Sequence, residues 1–483
     1  MVPADRITAA SDCPPRPGDY VLYWMIAARR TTWSPALERA LALAREHGKP
    51  LAVLEALRVD YPWASPRLHR FVVQGMADNA RAFDAAGVRY HAYVEPEPGA
   101  GSGLLAALAE RAVAVVTDAF PCFFLPAMVR AAAKQLRAAG VRLEVVDGNG
   151  VLPLQAAGRV FTTAASFRRH LQKTLPEHLD RFPLAAPLDG YDLGHATLPA
   201  DALRRWPHAG ALLAHPDRIR ELPLSGPGPV ADDGGSAAAA RTLATFLDER
   251  LERYTERNHP DEHVASGLSP WLHFGHVSAH EVVWRVLDRE GWDPGDLGPV
   301  TGSREGWWGL SAASEAFLDE IVTWRELGYV FCDQQPDYHR YATLPDWARE
   351  TLSEHRKDPR PEVYDLQTLD AADTADPLWN AAQRQLREEG RIHNYLRMVW
   401  GKRVLGWAEA PEQAWDQLVE LNNRYAVDGR NPNSYSGIAW VFGRFDRAWG
   451  PERPIFGKVR YMSSENTVKK LHLDDWLARW GDR

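Results

Sequence analysis

The densest concentration of chemically informative residues lies at 376–403, DPLWNAAQRQLREEGRIHNYLRMVWGKR. The run His393-Asn394-Tyr395-Leu396-Arg397-Met398 leads into Trp400 and then Trp407, with Trp379 upstream. Arg397 stands among apolar residues. A guanidinium in such a setting needs a counter-charge, because a buried charge without one costs several kcal/mol. Trp400 and Trp407 are seven positions apart, which on a helix is the same face, two turns or ~10.5 Å along the axis. An Arg able to balance an anion, with indoles leading away from it, suits one-electron chemistry on a buried redox cofactor. The plainer reading is a Trp-rich helical core.

Three other segments carry reactive side chains. In FLDEIVTWREL (317–327), Glu320 and Trp324 are one helical turn apart on an otherwise apolar face. There a carboxylate is an ion-pair partner or an acid with a raised pKa, and beside it an indole could stack on a base. In LNNRYAVDGRNPNSYSGIAW (421–440), Asn422, Asp428, Asn433 and Trp440 fall in an Asx- and Gly-rich stretch that reads as turns. Asp428 is also a candidate counter-charge for Arg397. The third segment runs from YTERNHP (254–260) to LSPWLHFG (268–275), and Ser269-Pro270 reads as a helix N-cap followed by Pro at the first helical position. Helix starts with nearby hydroxyls bind phosphate oxygens, although a well-capped helix explains the pattern equally simply. His273, His276 and His280 could share a helix face, but with no HExxH and no convergent Cys or carboxylate no metal site is expected.

The elements that must position these groups divide the chain. At 483 residues it exceeds one compact core. Apolar runs of strand length at 20–24, 51–54, 113–116 and 143–146 alternate with Ala-rich amphipathic segments at 35–47, 70–86 and 125–139. Gly87 and Gly140 stand at helix C-caps, each followed by Val-Arg and a strand. This predicts a doubly wound parallel sheet over 1–150, with neither GxGxxG nor GxxxxGK[ST] to mark a standard nucleotide site. Residues 151–236, rich in Pro, Gly, Ala and Asp toward their end, are expected as a connector. Residues 237–483 are expected to be helical, interrupted by GWDPGDLGPVTGSREGWWGLS (291–311), a loop long enough to be functional or a mobile insertion.

Bulk composition narrows the class. Nineteen Trp against six Met is an excess of indoles that calls for stacking partners, a ligand or a very large core. Three Cys (Cys13, Cys122, Cys332) without a CxxC pair suit a reducing cytoplasm. No signal-peptide pattern and no apolar run of membrane-spanning length is present. The net charge of −8 argues against a polyanion partner, yet residues 430–470 hold eight basic and three acidic residues. A basic face on an acidic protein is a nucleic-acid footprint, or simply a solvated surface.

LSPWLHFG, FLDEIVTWREL, LWNAAQRQL, HNYLRMVWGKRVLGW and DGRNPNSYSGIAW follow one another in the order found in DNA photolyases and cryptochromes. RPIFGKVRYM (453–462) and VLYWMIAARR (21–30) most resemble class II cyclobutane pyrimidine dimer photolyases, and the resemblance covers about residues 19–465. It implies an N-terminal α/β antenna domain, a long connector and a C-terminal helical domain holding FAD. Tyr254, Ser266, Leu268, Ser269, Arg397, Asp428 and Asn422 match flavin-binding positions. Asn422 takes the place facing N5, and Arg397 with Asp428 the salt bridge beside the isoalloxazine. Glu320 resembles the glutamate that bonds the dimer, and Trp324 and Trp440 the indoles against which thymines pack, with Asn394 and Met398 also on the substrate side. Trp400, Trp379 and Trp407 match the class II photoreduction chain, proximal to distal.

The implied partner is DNA containing pyrimidine dimers, with Arg444, Arg447 and Arg460 on its phosphates. The implied molecule is a cytoplasmic monomer with no membrane association. A second antenna chromophore, of deazaflavin or folate type, is left open. Three positions depart from the class II pattern: Asn394 stands where Gly is usual, 257–260 read RNHP, and LSPY reads LSPW. A cryptochrome-like photoreceptor without repair is the second reading. Its usual marks are a degraded Glu or Trp pocket and a C-terminal extension, whereas this chain keeps those residues and stops soon after the family region. A light-insensitive flavoprotein or Trp-rich binding protein is the third.

Overall fold

The computed structural model describes residues 1–481. The chain forms two compact units. Met1–Ala157, Thr174–Ala244 and Leu268–Gly291 build the first; Gly158–Lys173, Thr245–Gly267 and the chain from Trp292 onward build the second. The stretch expected as a connector is therefore shared: 174–236 lies with the first unit, and 158–173 supplies a helix, Ala164–Thr174, of which all but the last residue lies in the second.

The first unit contains a six-stranded sheet. Its strands are β1 (Ile7–Ser11), β2 (Tyr20–Met25), β3 (Leu51–Leu57), β4 (Arg89–Val94), β5 (Ala112–Asp118) and β6 (Leu143–Val146), in the order β1-β6-β5-β2-β3-β4. All neighbours pair parallel except β1, which runs antiparallel to β6 at one edge. The apolar runs are continuous because both faces are covered. Along β2, Val21, Tyr23 and Met25 enter one buried cluster and Tyr20, Leu22 and Trp24 the other. Helices Pro35–His47 and Pro66–Ala85 start on Ser34 and Ser65 caps with Pro in the first turn. The helices before β4 and β6 end at Gly87 and Gly140, both at positive φ, as their sequences require. β1 is the strand the sequence pattern missed: ITAAS shows no clean alternation, and it is held at the edge by pairing with β6, by Ile7 and Ala10 packing on the two buried clusters, and by the Ser11 hydroxyl donating to the Val141 carbonyl at 2.8 Å.

Polar groups inside this unit fix the strand ends. Asp118, at the end of β5, accepts the backbone N–H groups of Ile26, Ala27 and Ala28 at 2.8–3.0 Å and the Tyr23 hydroxyl at 2.7 Å. Glu55 in β3, fully buried, is held by Arg29 at 2.7 Å, Asn79 at 2.9 Å and the Tyr90 hydroxyl at 2.7 Å. An aromatic group, Tyr61, Trp63, Phe120, Phe123 and Phe124, follows the carboxyl ends of β3 and β5. That is the side on which open α/β sheets bind ligands.

The second unit is helical. Its core gathers Trp379, Trp400, Trp407, Trp415, Trp476 and Trp480 with aliphatic side chains. The helix Asn394–Trp407 is buried nearly all round, so its pattern has no polar stripe. The 291–311 loop is folded and held by its own contacts. Trp307 and Trp308 are buried, Glu315 accepts the N–H groups of Gly306 and Gly309, and Gly298 N–H donates to the Trp307 carbonyl at 2.8 Å. Among the described residues no helix is long and apolar enough to cross a membrane.

Gly275 shows how tightly the first unit is closed. Its φ is +72°, and a Cβ there would lie 1.9 Å from the Ala27 carbonyl oxygen. Gly275→Ala is expected to lower stability by at least ~1–3 kcal/mol from backbone strain alone, read as a lower urea midpoint.

Candidate functional site

The helix Asn394–Trp407 organises the site in the second unit. Arg397 Nη2 lies 3.3 Å from Asp428 Oδ1, the counter-charge expected from sequence. Asp428 is held from the following turn, where the Ser434 hydroxyl donates to its carbonyl at 3.1 Å. The turn is tight: a Cβ on Gly429 would meet the Asn422 carbonyl at 2.8 Å. Asn422, on the helix Pro411–Tyr425, is buried and donates to Asn423 Oδ1 at 3.2 Å. Asn423 in turn accepts the Arg430 N–H at 2.8 Å. Arg430 is thus internal; it is 2% exposed and bonded to the Asn423 and Val427 carbonyls.

One turn after Arg397 begins a series of buried rings. Trp400 and Trp379 are parallel, with centroids 6.3 Å apart and planes at 4°. Trp379 then meets Trp407 edge to face at 5.5 Å and 76°. Trp379, from the helix Pro377–Glu389, fills the two-turn gap between the indoles of its neighbour, which their seven-residue spacing leaves open. Trp379 Nε1–H donates to the Trp400 carbonyl and Trp400 Nε1–H to Gln383 Oε1, both at 3.0 Å. Beyond Trp407 stands half-buried Tyr364, 5.1 Å away and perpendicular. Tyr364 was not picked out from sequence, since nothing local marks it.

Two buried nitrogens here have no hydrogen-bond partner among the described residues: Gln383 Nε2, beside Trp400, and His393 Nδ1, one turn before Arg397. Burial lowers the His393 ring pKa to about 4, so the ring is neutral at pH 7. A guanidinium–carboxylate pair, a buried amide and two orphaned nitrogens fit a polar heteroaromatic cofactor such as a flavin. Tyr254, itself buried, packs edge to face on Phe246 and Phe317.

The turn expected to bind the cofactor's pyrophosphate is arranged differently from expectation. Leu268 is itself helical in backbone, and the helix Ser269–His273 starts without a side-chain cap. Ser269 is therefore its first residue, not its N-cap, and Pro270 its second. Gly267 at φ +71° makes the preceding turn, with Ser266 before it. The three histidines do not share a helix face. The chain turns at Gly275 after His273, and His280 lies on a new helix, Ala279–Arg289. His276 accepts the Gly235 N–H at 2.9 Å, and burial lowers its pKa to about 3.

Glu320 and Trp324 lie on a π-helical turn, Asp319–Trp324, a form that recurs at functional sites. The Glu320 side chain is 31% exposed and 3.3 Å from Arg257 Nη2. Burial raises its carboxyl, Arg257 opposes the rise and Asp319 adds to it. The following helix, Arg325–Gln334, is locked to the helix Pro432–Val441, which carries Trp440. Asn433 Nδ2 donates to the Trp324 and Arg325 carbonyls at 3.3 and 3.2 Å, and a Cβ on Gly328 would sit 2.8 Å from Asn433 Nδ2. Trp324 and Trp440 are both half-buried, as is Met398, and Asn394 is exposed.

Of the three arginines expected on phosphates, Arg444 is turned inward. It is 7% exposed, donates to the Thr343 carbonyl and lies over Phe331 and Phe445. Burial lowers its pKa to about 10. Arg447 and Arg460 are exposed and flank Trp449 at 4.6 and 4.5 Å, and Arg460 also reaches Trp440 at 5.9 Å. Lys402 is buried behind the same indole, its ammonium 4.8 Å from the Trp440 ring and bonded to the Val441 carbonyl.

The fold resembles two solved structures. A class III photolyase from Agrobacterium tumefaciens superposes with TM-score 0.69 at 19% identity, over 96% of this chain and 87% of that one. A cryptochrome from Synechocystis gives 0.66 at 15%, over 96% and 89%. The architecture is that of photolyases and cryptochromes. By sequence, residues 21–187 match the DNA photolyase family. The chain is 33% identical to the deoxyribodipyrimidine photo-lyase of Methanothermobacter thermautotrophicus, over 99% of this chain and 98% of the relative. Relatives of the same name from Oryza sativa and Potorous tridactylus are 31% and 30% identical, over 96% and 94% of this chain and 88% and 80% of theirs. The protein belongs to the DNA photolyase family.

Burial lowers the Lys402 pKa from 10.5 to about 7, with Asp446 opposing and Arg460 adding to the shift. Between those values the unfolded chain binds the extra proton, so Lys402 makes stability rise with pH across that window. Relative to Lys402→Met, the wild type should gain up to ~1.4 kcal/mol per pH unit there. Urea unfolding of both proteins from pH 7 to 10 measures it.

Proposed function

We propose that the protein is a light-driven, FAD-dependent deoxyribodipyrimidine photo-lyase acting on cyclobutane pyrimidine dimers in DNA. The observation that carries this reading is the union on one helix of Arg397, paired with Asp428, and Trp400, the head of a stacked indole series. Reduced FAD, when bound, supplies under blue light the electron that opens the cyclobutane ring and receives it back. Arg397 balances negative charge on the cofactor ring, and Asp428 fixes the guanidinium. Asn422 offers its buried amide to the ring edge, with Tyr254, Ser266, Leu268 and Ser269 along the rest of the cofactor. Trp400, Trp379 and Trp407 pass an electron inward to restore the reduced state, following the class II route.

A dimer in a stacked duplex cannot approach the cofactor, so the lesion is taken in flipped out, at a step already weakened by damage. Trp324 and Trp440 stack against its two rings, with Met398 and Asn394 at the margin. Glu320, whose carboxyl is raised by burial with Arg257 opposing, can donate or share a proton with the thymine carbonyls and stabilises charge arriving there. Such stabilisation acts after electron transfer and so raises yield more than affinity. Arg447 and Arg460 meet the phosphates on either side. A second chromophore would be accommodated by the aromatic group after β3 and β5.

Four variants bear on this reading. Under blue light with saturating dimer-containing DNA, Glu320→Ala should lower repair per photon more than it lowers binding. Trp440→Ala should lose lesion affinity by ~1–3 kcal/mol, the worth of one stacked base. A wild type that binds FAD and photoreduces but repairs nothing would be a photoreceptor, the function suggested by the cryptochrome-like fold. Trp400→Phe should block photoreduction of oxidised FAD and leave repair by chemically reduced protein nearly intact. Phe is the right replacement, since Trp→Ala in this core would cost ~3–5 kcal/mol through packing alone. Wild-type photoreduction in that variant would mean that the indoles are core packing. Arg397→Ala should lower FAD content, because it removes the guanidinium proposed to balance charge on the cofactor ring; unchanged content and spectrum would remove Arg397 from the site.

A further inference from the structure

We propose that Arg168 is a positioning residue for Glu320: through a two-point ion pair with Asp319 it holds the π-helical turn that carries Glu320, and leaves Arg257 to Glu320 alone. The inference rests on the reading of Glu320 given above and names what fixes it. Arg168 lies on the helix Ala164–Thr174, in the stretch whose sequence reads as connector. Its Nε and Nη2 donate to the two oxygens of Asp319 at 2.7 and 2.9 Å, and the two side chains are only 13% and 10% exposed. A fork of this kind fixes orientation as well as charge. Asp319 is the first residue of the π-helical turn and Glu320 the second. A π turn is a rare, locally irregular form, most often a single turn within an α-helix at a functional site.

The charges here are two carboxylates and two guanidiniums. Glu320 is faced by Arg257 at 3.3 Å, by Asp319 on its own turn, and more distantly by Arg168. Burial raises the phenol of nearby Tyr254, and the Glu320 charge adds to the rise. Without Arg168, Asp319 would be a buried carboxylate lacking its partner and would compete with Glu320 for Arg257. The second carboxylate would then be harder to ionise, since like charges at close range favour protonation of one of them.

The 291–311 loop gains a task from the same contacts. Gln172, one turn after Arg168, accepts the N–H groups of Thr301 and Gly302 at 3.1 and 2.7 Å and donates to the Ser303 carbonyl at 2.8 Å. Arg169 donates to the Thr301 carbonyl at 2.9 Å, and Arg168 Nη1 lies 3.4 Å from that of Gly302. The loop clamps by its backbone the helix that presents Arg168.

The test uses the full-length, FAD-loaded protein and the infrared band of protonated Glu320, assigned by its loss in Glu320→Gln. In Arg168→Met the pH midpoint of that band should move up by about one unit or more, with FAD content retained. Light-driven repair at saturating DNA should fall about tenfold or more, as expected for a misplaced reacting group. Adding Asp319→Asn should return the midpoint toward the wild-type value, which general loosening of the fold would not do. Should Arg168→Met not fold, Arg168→Lys keeps the charge and loses the fork; a wild-type midpoint with reduced repair supports the positioning role. An unmoved midpoint in Arg168→Met, or wild-type repair in Arg168→Lys, overturns the proposal. Wild-type repair in Glu320→Gln would instead sink the reading of Glu320, while the band midpoint would still report on Arg168.

Discussion

A charge removed from water must find its opposite at once, and this constraint shapes both units. Glu55 is fully buried in β3 and is held by Arg29, Asn79 and Tyr90. In the helical unit Arg397 meets Asp428 and Arg168 meets Asp319, each pair joining segments distant in sequence. Breaking such a pair costs ~3–5 kcal/mol, because the survivor stays buried. The pairs therefore specify which segments lie together, even where their net contribution to stability is small. The turn after Asn422, the π-helical turn at Asp319 and the ends of β2 are all placed by charged or polar groups that accept no other arrangement.

Around these pairs the apolar core is made largely of indoles. Trp379, Trp400 and Trp407 are among the most buried residues of the second unit and would stabilise it whatever else they do. Packing does not require that two of them lie within 4° of parallel, nor that the series start one turn from the Arg397–Asp428 pair. On the function proposed above, these core side chains serve stability and electron transfer together. The two roles are separable because a phenyl ring keeps most of the volume and loses the indole's ease of oxidation.

The basic segment shows the same economy of position. Of its eight positive residues, Arg430 and Arg444 are internal struts, bonded to backbone carbonyls. Arg447, Arg453, Lys458, Arg460, Lys469 and Lys470 remain at the surface. Counting charges along the chain overstated the patch, because a guanidinium that closes a turn and one that meets solvent look alike in sequence. What survives is more focused: Arg447 and Arg460 on either side of Trp449, with Arg460 extending to Trp440.

The sequence by itself determined the two architectures, the helix ends marked by Gly87 and Gly140, and Asp428 as a counter-charge for Arg397. All of these follow from local periodicity, cap chemistry or the need to neutralise a buried charge. Family membership was legible in the order of five short motifs. Edge strand β1 was hidden, because ITAAS has no alternation to betray it. The helical state of Leu268, which makes Ser269 the first helical residue, was hidden too, since cap position shifts by one residue without any change in composition. Only tertiary structure set Trp379 between Trp400 and Trp407, put Tyr364 at the end of that series, turned Arg444 inward and brought Arg168 to Asp319. Each of these depends on contacts between segments far apart in the chain, and long-range packing leaves no local period from which it could be read.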